Sequence, residues 1–240
     1  MLYIVGSPIG NLSDISLRAL EVLRQVNRIA AEDTRRIRIL LNHYEIVKPV
    51  LSYHAFNEAK RTAEIVQYLE QGESIALVSD AGMPTISDPG FRLITRCQQN
   101  QIPFTVIPGP SAVTTALVGS GLPTDSFYFG GFLPNKSGQR ERELRTALQR
   151  ECTSIYFESP YRLLKTLEAL NSLDPAQLIC VARELTKHFE EFRRGTVAEV
   201  REHFAAHPPR GEITLVISGS GKSAGRGLPA SGDCPLMPSA

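Results

Sequence analysis

The chain has 240 residues, 42% of them hydrophobic and 21% charged, which excludes a disordered or fibrous protein and suits one large or two small globular domains. With 26 Lys and Arg against 25 Asp and Glu the net charge is +1, so no overall field draws in nucleic acid and any RNA contact has to rely on a local patch. Cys97, Cys152, Cys180 and Cys234 lie far apart with no C-x-x-C pair, and the histidines show no ligand spacing with them, so neither a disulfide framework nor a metal site is expected.

The first apolar run, Leu2–Val5, stops at Gly6-Ser7-Pro8, far short of a signal peptide's apolar core. No later run is long enough to span a bilayer, so a cytoplasmic protein with no membrane contact is expected. From there short apolar runs alternate with amphipathic stretches: a helix over 15–26, a strand Arg28–Ala31, a helix over 35–44, a strand over 50–53 and a helix over 57–70. Leu17, Leu20, Leu23 and Val26 form an apolar stripe expected in the core, with Ser13 or Asp14 capping the first helix and Asp33 or Thr34 the second. Ile75–Val78 has the uninterrupted apolar character of a strand buried on both faces, followed by a helix Phe91–Gln99 and a strand Phe104–Ile107. Pro108-Gly109-Pro110 ends that strand, Ser111 caps an Ala/Val/Thr-rich helix, and 121–125 has the Gly/Pro composition of a linker.

These βα repeats predict an α/β protein of two domains, the first (1–120) with a mainly parallel sheet flanked by helices. The second (121–219) has runs at 127–129, 153–157, Leu178–Arg183, 189–194 and 212–218, with helices near 139–150, 161–171 and 197–204. The stretch between Arg183 and Arg194 is too short for a crossover helix, so a mixed sheet with an antiparallel pair is expected. Residues 220–240 collapse into Gly, Ser and Pro and read as a disordered tail.

Two phosphate-binding signatures are approached and missed. GSPIGN has Gly6 and Gly10 four apart and is not G-x-G-x-x-G; Gly219, Gly221, Lys222 and Ser223 lack the first glycine of a P-loop and no amphipathic helix follows. What remains is a set of polar loops, each after a strand: Gly6 to Leu12, AEDTR at 31–35, SYHAFNE at 52–58, SDAGMPTISDPG at 79–90 and PGPSA at 108–112. In open α/β sheets ligands sit beyond the carboxyl ends of the strands, where all five must lie. The 79–90 loop is stiffened by Pro84 and Pro89 and left bare at Gly82 and Gly90, so its backbone can press against a small polar ligand. The second half adds GFLP at 131–134, FESPYR at 157–162, RELTK at 183–187 and Gly211-Glu212.

With SPIGNL, AEDTR, SDAGMPTISDPG, PGPSA, GFLP and RELTK in that order, residues 2–219 resemble the tetrapyrrole methylase fold family, and within it the branch that methylates a ribose 2′-hydroxyl, of a cytidine, in 16S rRNA of the small ribosomal subunit. The resemblance implies two α/β domains, S-adenosylmethionine as cofactor and a homodimer. Carried onto this chain it implies cofactor contacts from Pro8, Asp80, Ala81, Gly82, Met83, Ser111, Ala112, Phe157, Glu158, Leu185, Glu212 and Ile213. A poorly nucleophilic hydroxyl gains from a base or a nearby cation. Candidates are Glu32, Asp33, His54, Asp88, Glu184 and Lys187, among which the sequence does not choose. Arg35, Arg36 and Arg38, then Lys136, Arg140, Arg142 and Arg145, then Arg183, Lys187, Arg193 and Arg194 are runs able to meet phosphates, with Tyr53, Phe56 and Tyr161 available for base stacking. Members of the family commonly continue into a small helical C-terminal region, whereas this chain holds a Gly/Ser/Pro segment there. A tetrapyrrole methyltransferase of the same fold and a non-catalytic RNA-binding assembly factor remain the alternatives.

Overall fold

The computed structural model describes residues 1–221; all but the first two residues of the expected tail, including Lys222, Ser223 and Cys234, lie outside the described residues. The chain divides into two compact units, Met1–Ser111 and Ala112–Ala240.

The first unit holds strands β1 (Leu2–Val5), β2 (Arg28–Ala31), β3 (Val50–Ser52), β4 (Ile75–Val78) and β5 (Phe104–Ile107) in the order β3-β2-β4-β1-β5, all parallel. Helices α1 (Leu17–Gln25) and α2 (Thr34–His43) cover one face; α3 (Glu58–Glu70) and α4 (Phe91–Gln99) cover the other. Side chains alternate across a strand, so β4 sends Ala76 and Val78 into the layer of Leu20, Leu23, Leu40 and Leu41, and Ile75 and Leu77 into that of Ile65, Leu69 and Leu93. Both faces being covered, every residue of β4 is buried, as its uniform apolarity implies. Each such leucine or isoleucine contributes about 1.5–3 kcal/mol on leaving water.

Leu17 departs from the expected stripe. It is 79% exposed, because it is the first residue of α1 and only Leu20, Leu23 and Val26 reach the core. Ser16 caps α1, since Ser13 and Asp14 are taken up in a separate 3-10 turn (Leu12–Asp14) capped by Asn11. Asp33 caps α2 through its bond from Arg35 N.

The second unit begins with α5 (Ala112–Ser120), which packs on strands β7 to β10 of its own sheet. That differs from the expected boundary at 120. A helix apolar on all sides carries no stripe to say which sheet it covers. The strands are β6 (Phe127–Phe132), β7 (Thr153–Glu158), β8 (Leu178–Arg183), β9 (Glu191–Thr196) and β10 (Ile213–Ile217), in the order β6-β7-β10-β8-β9. β6 and β7 are parallel, whereas β10 is antiparallel to β7 and β8, and β8 to β9, so the sheet is mixed with the expected antiparallel pair. Its core joins Leu144 of α6 (Ser137–Gln149), Leu163 and Leu167 of α7 (Pro160–Leu173) and Phe204 of α8 (Val197–Ala206) to Tyr156, Val181 and Leu215.

Candidate active site

The first sheet has its topological switch point between β1 and β4. β1 connects through α1 to β2, beyond β4, while β4 connects through α4 on the opposite face to β5, beyond β1. The two outgoing loops therefore part, the arrangement that opens a binding crevice at strand ends. They are also tied together. Ser7 N donates to Gly82 O at 2.9 Å and Gly82 N to Ser7 O at 3.1 Å, and the Ser7 hydroxyl reaches Ser79 O at 3.2 Å. This brings Pro8 beside Ala81, Gly82 and Met83, which the sequence separates by more than seventy residues. Thr85 and Ser87 hold left-handed backbone at φ 76 and φ 67, uncommon for side-chain-bearing residues and strained for a β-branched one.

Three carboxylates gather at these ends. Asp80 accepts the Asp33 amide at 2.8 Å and lies 3.7 Å from Arg36, so the 79–90 loop holds the AEDTR loop in place. Burial, then the charge of Asp80, raises the Glu32 carboxyl above its usual range against the pull of Arg36. Burial, then the charge of Glu32, pushes Asp88 up to about 6, with a Ser79 hydrogen bond opposing. Asp33 differs: hydrogen bonds from Arg35, 3.0 Å at Nε and 2.7 Å at Nη2, hold its carboxyl well below the carboxylate range. Among the described residues no three His, Cys, Asp or Glu side chains converge as metal ligands.

His54 follows β3, the strand next to β2. Asn57 fixes it, and the amide's orientation is set by main-chain groups of known polarity: Oδ1 accepts His54 N at 2.9 Å while Nδ2 donates to Ser52 O at 3.2 Å. Nδ2 also meets His54 Nε2 at 3.1 Å, so Nε2 is the acceptor and the ring proton sits on Nδ1. Nδ1 is buried and has no hydrogen-bond partner among the described residues. The sequence reading missed Asn57; a polar side chain three residues after a histidine, at a helix start, was the available signal.

In the second unit, β10 runs antiparallel between β7 and β8, which places its first residue beside their last: Ile213 pairs with Glu158 and with Arg183. Phe157, Glu158, Glu184, Leu185, Glu212 and Ile213 thus gather at one end of the three central strands. Glu158 is fully buried and satisfied internally, by Arg162 at 2.5 Å, Thr166 Oγ1 at 2.7 Å and Ser159 N at 2.7 Å. It can offer a cofactor only its main chain. Glu184 N donates to Glu212 O at 3.0 Å, Glu212 N donates to the Glu184 carboxylate at 2.9 Å, and both carboxylates receive Lys187 Nζ, at 2.8 and 3.0 Å. Burial works against the Glu184 charge, but Lys187, the Glu212 amide and Arg183 together outweigh it and keep the carboxyl low. Ala112 opens α5, and Ser111 is the last residue of the first unit.

The expected RNA contacts divide. Arg35 is 87% exposed, and Arg36 and Lys136 also face solvent. Arg140 does not: its guanidinium is buried and donates to Pro134 O and Asn135 O, holding the GFLP loop, so it is withdrawn from that group. Arg183 and Arg194 are likewise engaged, with Glu191 and with Gly119 O. Tyr53 is buried under Glu58 and Thr62 and cannot stack on a base, whereas Phe56 is 99% exposed.

The family model for Tetrapyrrole (Corrin/Porphyrin) Methylases matches residues 1–201. The chain belongs to the tetrapyrrole methylase family. Within it, the chain is 49% identical over 219 residues to a Thermotoga maritima protein named ribosomal RNA small subunit methyltransferase I, covering 91% of this chain and 98% of that one. A Bacillus subtilis protein of the same name is 43% identical over 220 residues, with 92% of this chain and 75% of that one covered. Relatives thus differ in how much lies outside the shared part, and a C-terminal extension is not common to all. Solved structures share the fold: a uroporphyrin-III-C-methyltransferase from Thermus thermophilus (TM-score 0.63, 21% identity, 93% of this chain and 95% of that one) and a diphthine synthase (TM-score 0.70, 13% identity, 90% and 89%).

Tetrapyrrole methylases use S-adenosylmethionine, a methyl donor whose sulfonium makes the methyl group electrophilic. The residues at the switch point fit it. Two positive centres on one ligand suit a site where the three carboxylates Glu32, Asp80 and Asp88 outnumber the nearby cations Arg35 and Arg36. Pro8 and the 80–83 backbone are the groups that would hold it in the first unit.

Proposed function

We propose that the protein is an S-adenosylmethionine-dependent methyltransferase that modifies the ribose 2′-hydroxyl of a cytidine in 16S rRNA of the small subunit, working as a cytoplasmic homodimer. The observation that carries this is the 49% identity over nearly the whole of both chains to proteins named for small-subunit rRNA methylation, against 13–21% to the solved tetrapyrrole and diphthine enzymes. The cofactor contacts are Pro8, the Asp80–Met83 backbone and Ser111 in the first unit, and Ala112, Phe157, Leu185, Ile213 and the main chain of Glu158 and Glu212 in the second. Arg35, Arg36 and Lys136 meet phosphates, and Phe56 offers a stacking surface.

Methyl transfer from a sulfonium needs the acceptor oxygen held in line, and such positioning supplies up to about 7–11 kcal/mol of barrier reduction. The protein's tasks are then orientation, exclusion of water and removal of one proton. Incubation with tritiated S-adenosylmethionine and small subunits lacking the modification tests the reading. Label recovered as 2′-O-methylcytidine after nuclease digestion is expected. Label on a base, or on an added precorrin and not on RNA, would sink it.

A further inference from the structure

We propose that Asp88 accepts the proton of the ribose hydroxyl as the methyl group is transferred. This rests on the ribose-methylation reading above. Of the six candidates for the base, three are committed to ion pairs: Asp33 to Arg35, and Glu184 and Lys187 to each other. His54 is excluded by its hydrogen bonds. Asn57 Nδ2 donates to Nε2 at 3.1 Å, so that lone pair is not open to the hydroxyl. The ion pairs of the first unit, Arg28–Glu73, Arg35–Asp33, Arg36–Asp80 and Arg61–Glu64, leave out both Glu32 and Asp88.

Asp88 is the better placed of the two. It lies in the switch-point loop, next to the left-handed Ser87 and two residues before Gly90, whose amide is held by Glu58 Oε1 at 3.1 Å. Glu58 is held in turn by the Tyr53 hydroxyl at 3.1 Å, so a short side chain stands on a fixed backbone. Around it are the carboxylates of Glu32, after β2, and of Asp80, in its own loop, with the Ser79 hydroxyl; Arg36 of α2 acts on Glu32 instead, with His54, after β3, near it. A second feature points to a ligand here: near Glu32, the buried Nδ1 of His54 has no hydrogen-bond partner among the described residues, so a polar group in the same cluster is free to bond an oxygen of a bound molecule.

In the step itself the hydroxyl O–H bond breaks and its proton passes to a carboxylate oxygen of Asp88. The ribose oxygen forms its bond to the methyl carbon while the carbon–sulfur bond breaks and sulfur keeps the pair. A sulfonium and a carboxylate become a thioether and a carboxylic acid, which later loses its proton to water.

The test compares parent, Asp88→Asn and Glu32→Gln by methyl transfer to unmodified small subunits over pH 5 to 8.5, by calorimetry with S-adenosylmethionine, and by carbon NMR titration of the Asp88 carboxyl in the ligand-free protein. Asp88→Asn is expected to lower kcat about a hundredfold or more, with a much smaller loss of cofactor affinity. In Glu32→Gln, whatever turnover remains, the acid limb of the kcat profile and the Asp88 NMR midpoint are both expected to move to lower pH. Parent-like kcat in Asp88→Asn overturns the proposal. If that variant fails to fold, a limb and midpoint unmoved by Glu32→Gln overturn it. A parent that labels no RNA overturns the functional reading itself, a distinguishable result.

Discussion

Gly6 stands where three strand ends meet, and no side chain fits there: a Cβ would come within 2.7 Å of both Gly109 Cα and Met83 Sδ. The methionine can swing aside, but the Gly109 backbone cannot. Gly6→Ala should therefore force the loops after β1 and β5 apart and lower the unfolding free energy in urea by about 1–3 kcal/mol, with weaker cofactor binding. A variant as stable as the parent, and binding as well, would show that the contact is slack. Asp80 works by a different means at the same place. Its carboxylate receives the Asp33 amide, so Asp80→Ala leaves a donor without its acceptor, at a cost of about 1 kcal/mol, and frees the AEDTR loop. Asp80→Asn retains an oxygen there. Calorimetry with S-adenosylmethionine should find the alanine variant weak and the asparagine variant close to the parent; equal weakness in both would mean that the charge, rather than the loop anchor, is what the ligand needs.

Helix α8 shows how far a local pattern can carry an element. Thr196 accepts Glu199 N at 3.3 Å, and Glu199 Oε2 accepts Thr196 N at 2.8 Å, closing a capping box that spares two orphan amides. Thr196→Ala should lower the melting free energy of the protein by about 0.5–2 kcal/mol, and a thermal melt followed by circular dichroism checks it; no change would mean that packing of Val197, Val200 and Phe204 alone holds the helix. Elements of this kind were legible because periodicity, caps and breakers act over a few residues: β4 read as buried on both faces from four apolar residues, and the β8–β9 pair from a connection too short for a helix. What local signals leave open is competition between neighbours. Ser16 took the α1 cap because Asn11 had drawn Ser13 into its own turn, and α5, apolar all round, gave no hint of which sheet it covers. The site divided in the same way. The loops were visible in their Asp, Gly and Pro content, but the Ser7–Gly82 bridge and the gathering of Glu158, Glu184 and Glu212 follow from strand order, which no short segment encodes. Arg140 looked like a phosphate ligand in sequence because a charge shows neither its burial nor its partners.

At the scale of the whole molecule, ionised groups pull the stability curve in opposite directions. Hydrogen bonds from Arg35 to Asp33, Arg61 to Glu64 and Arg28 to Glu73 hold those carboxyls low, so their contributions are present above the unfolded-state range and are lost as pH falls through the folded-state values. Asp88 runs the other way. Burial and the Glu32 charge raise it from 3.8 to about 6, so keeping it ionised in the folded state opposes folding above pH 6, and that opposition disappears below about pH 4, where it is protonated folded or unfolded. A residue kept at a cost to the fold is what a proton acceptor poised near neutrality requires. Asp88→Asn should accordingly raise the unfolding free energy at pH 7.5 by about 1 kcal/mol, once solvent screening of a partly exposed group is allowed for, while turnover collapses. Urea unfolding at pH 7.5 and at pH 4 measures it: the gain should be present at the first and absent at the second. A variant less stable than the parent at both would make Asp88 a structural support of its loop instead.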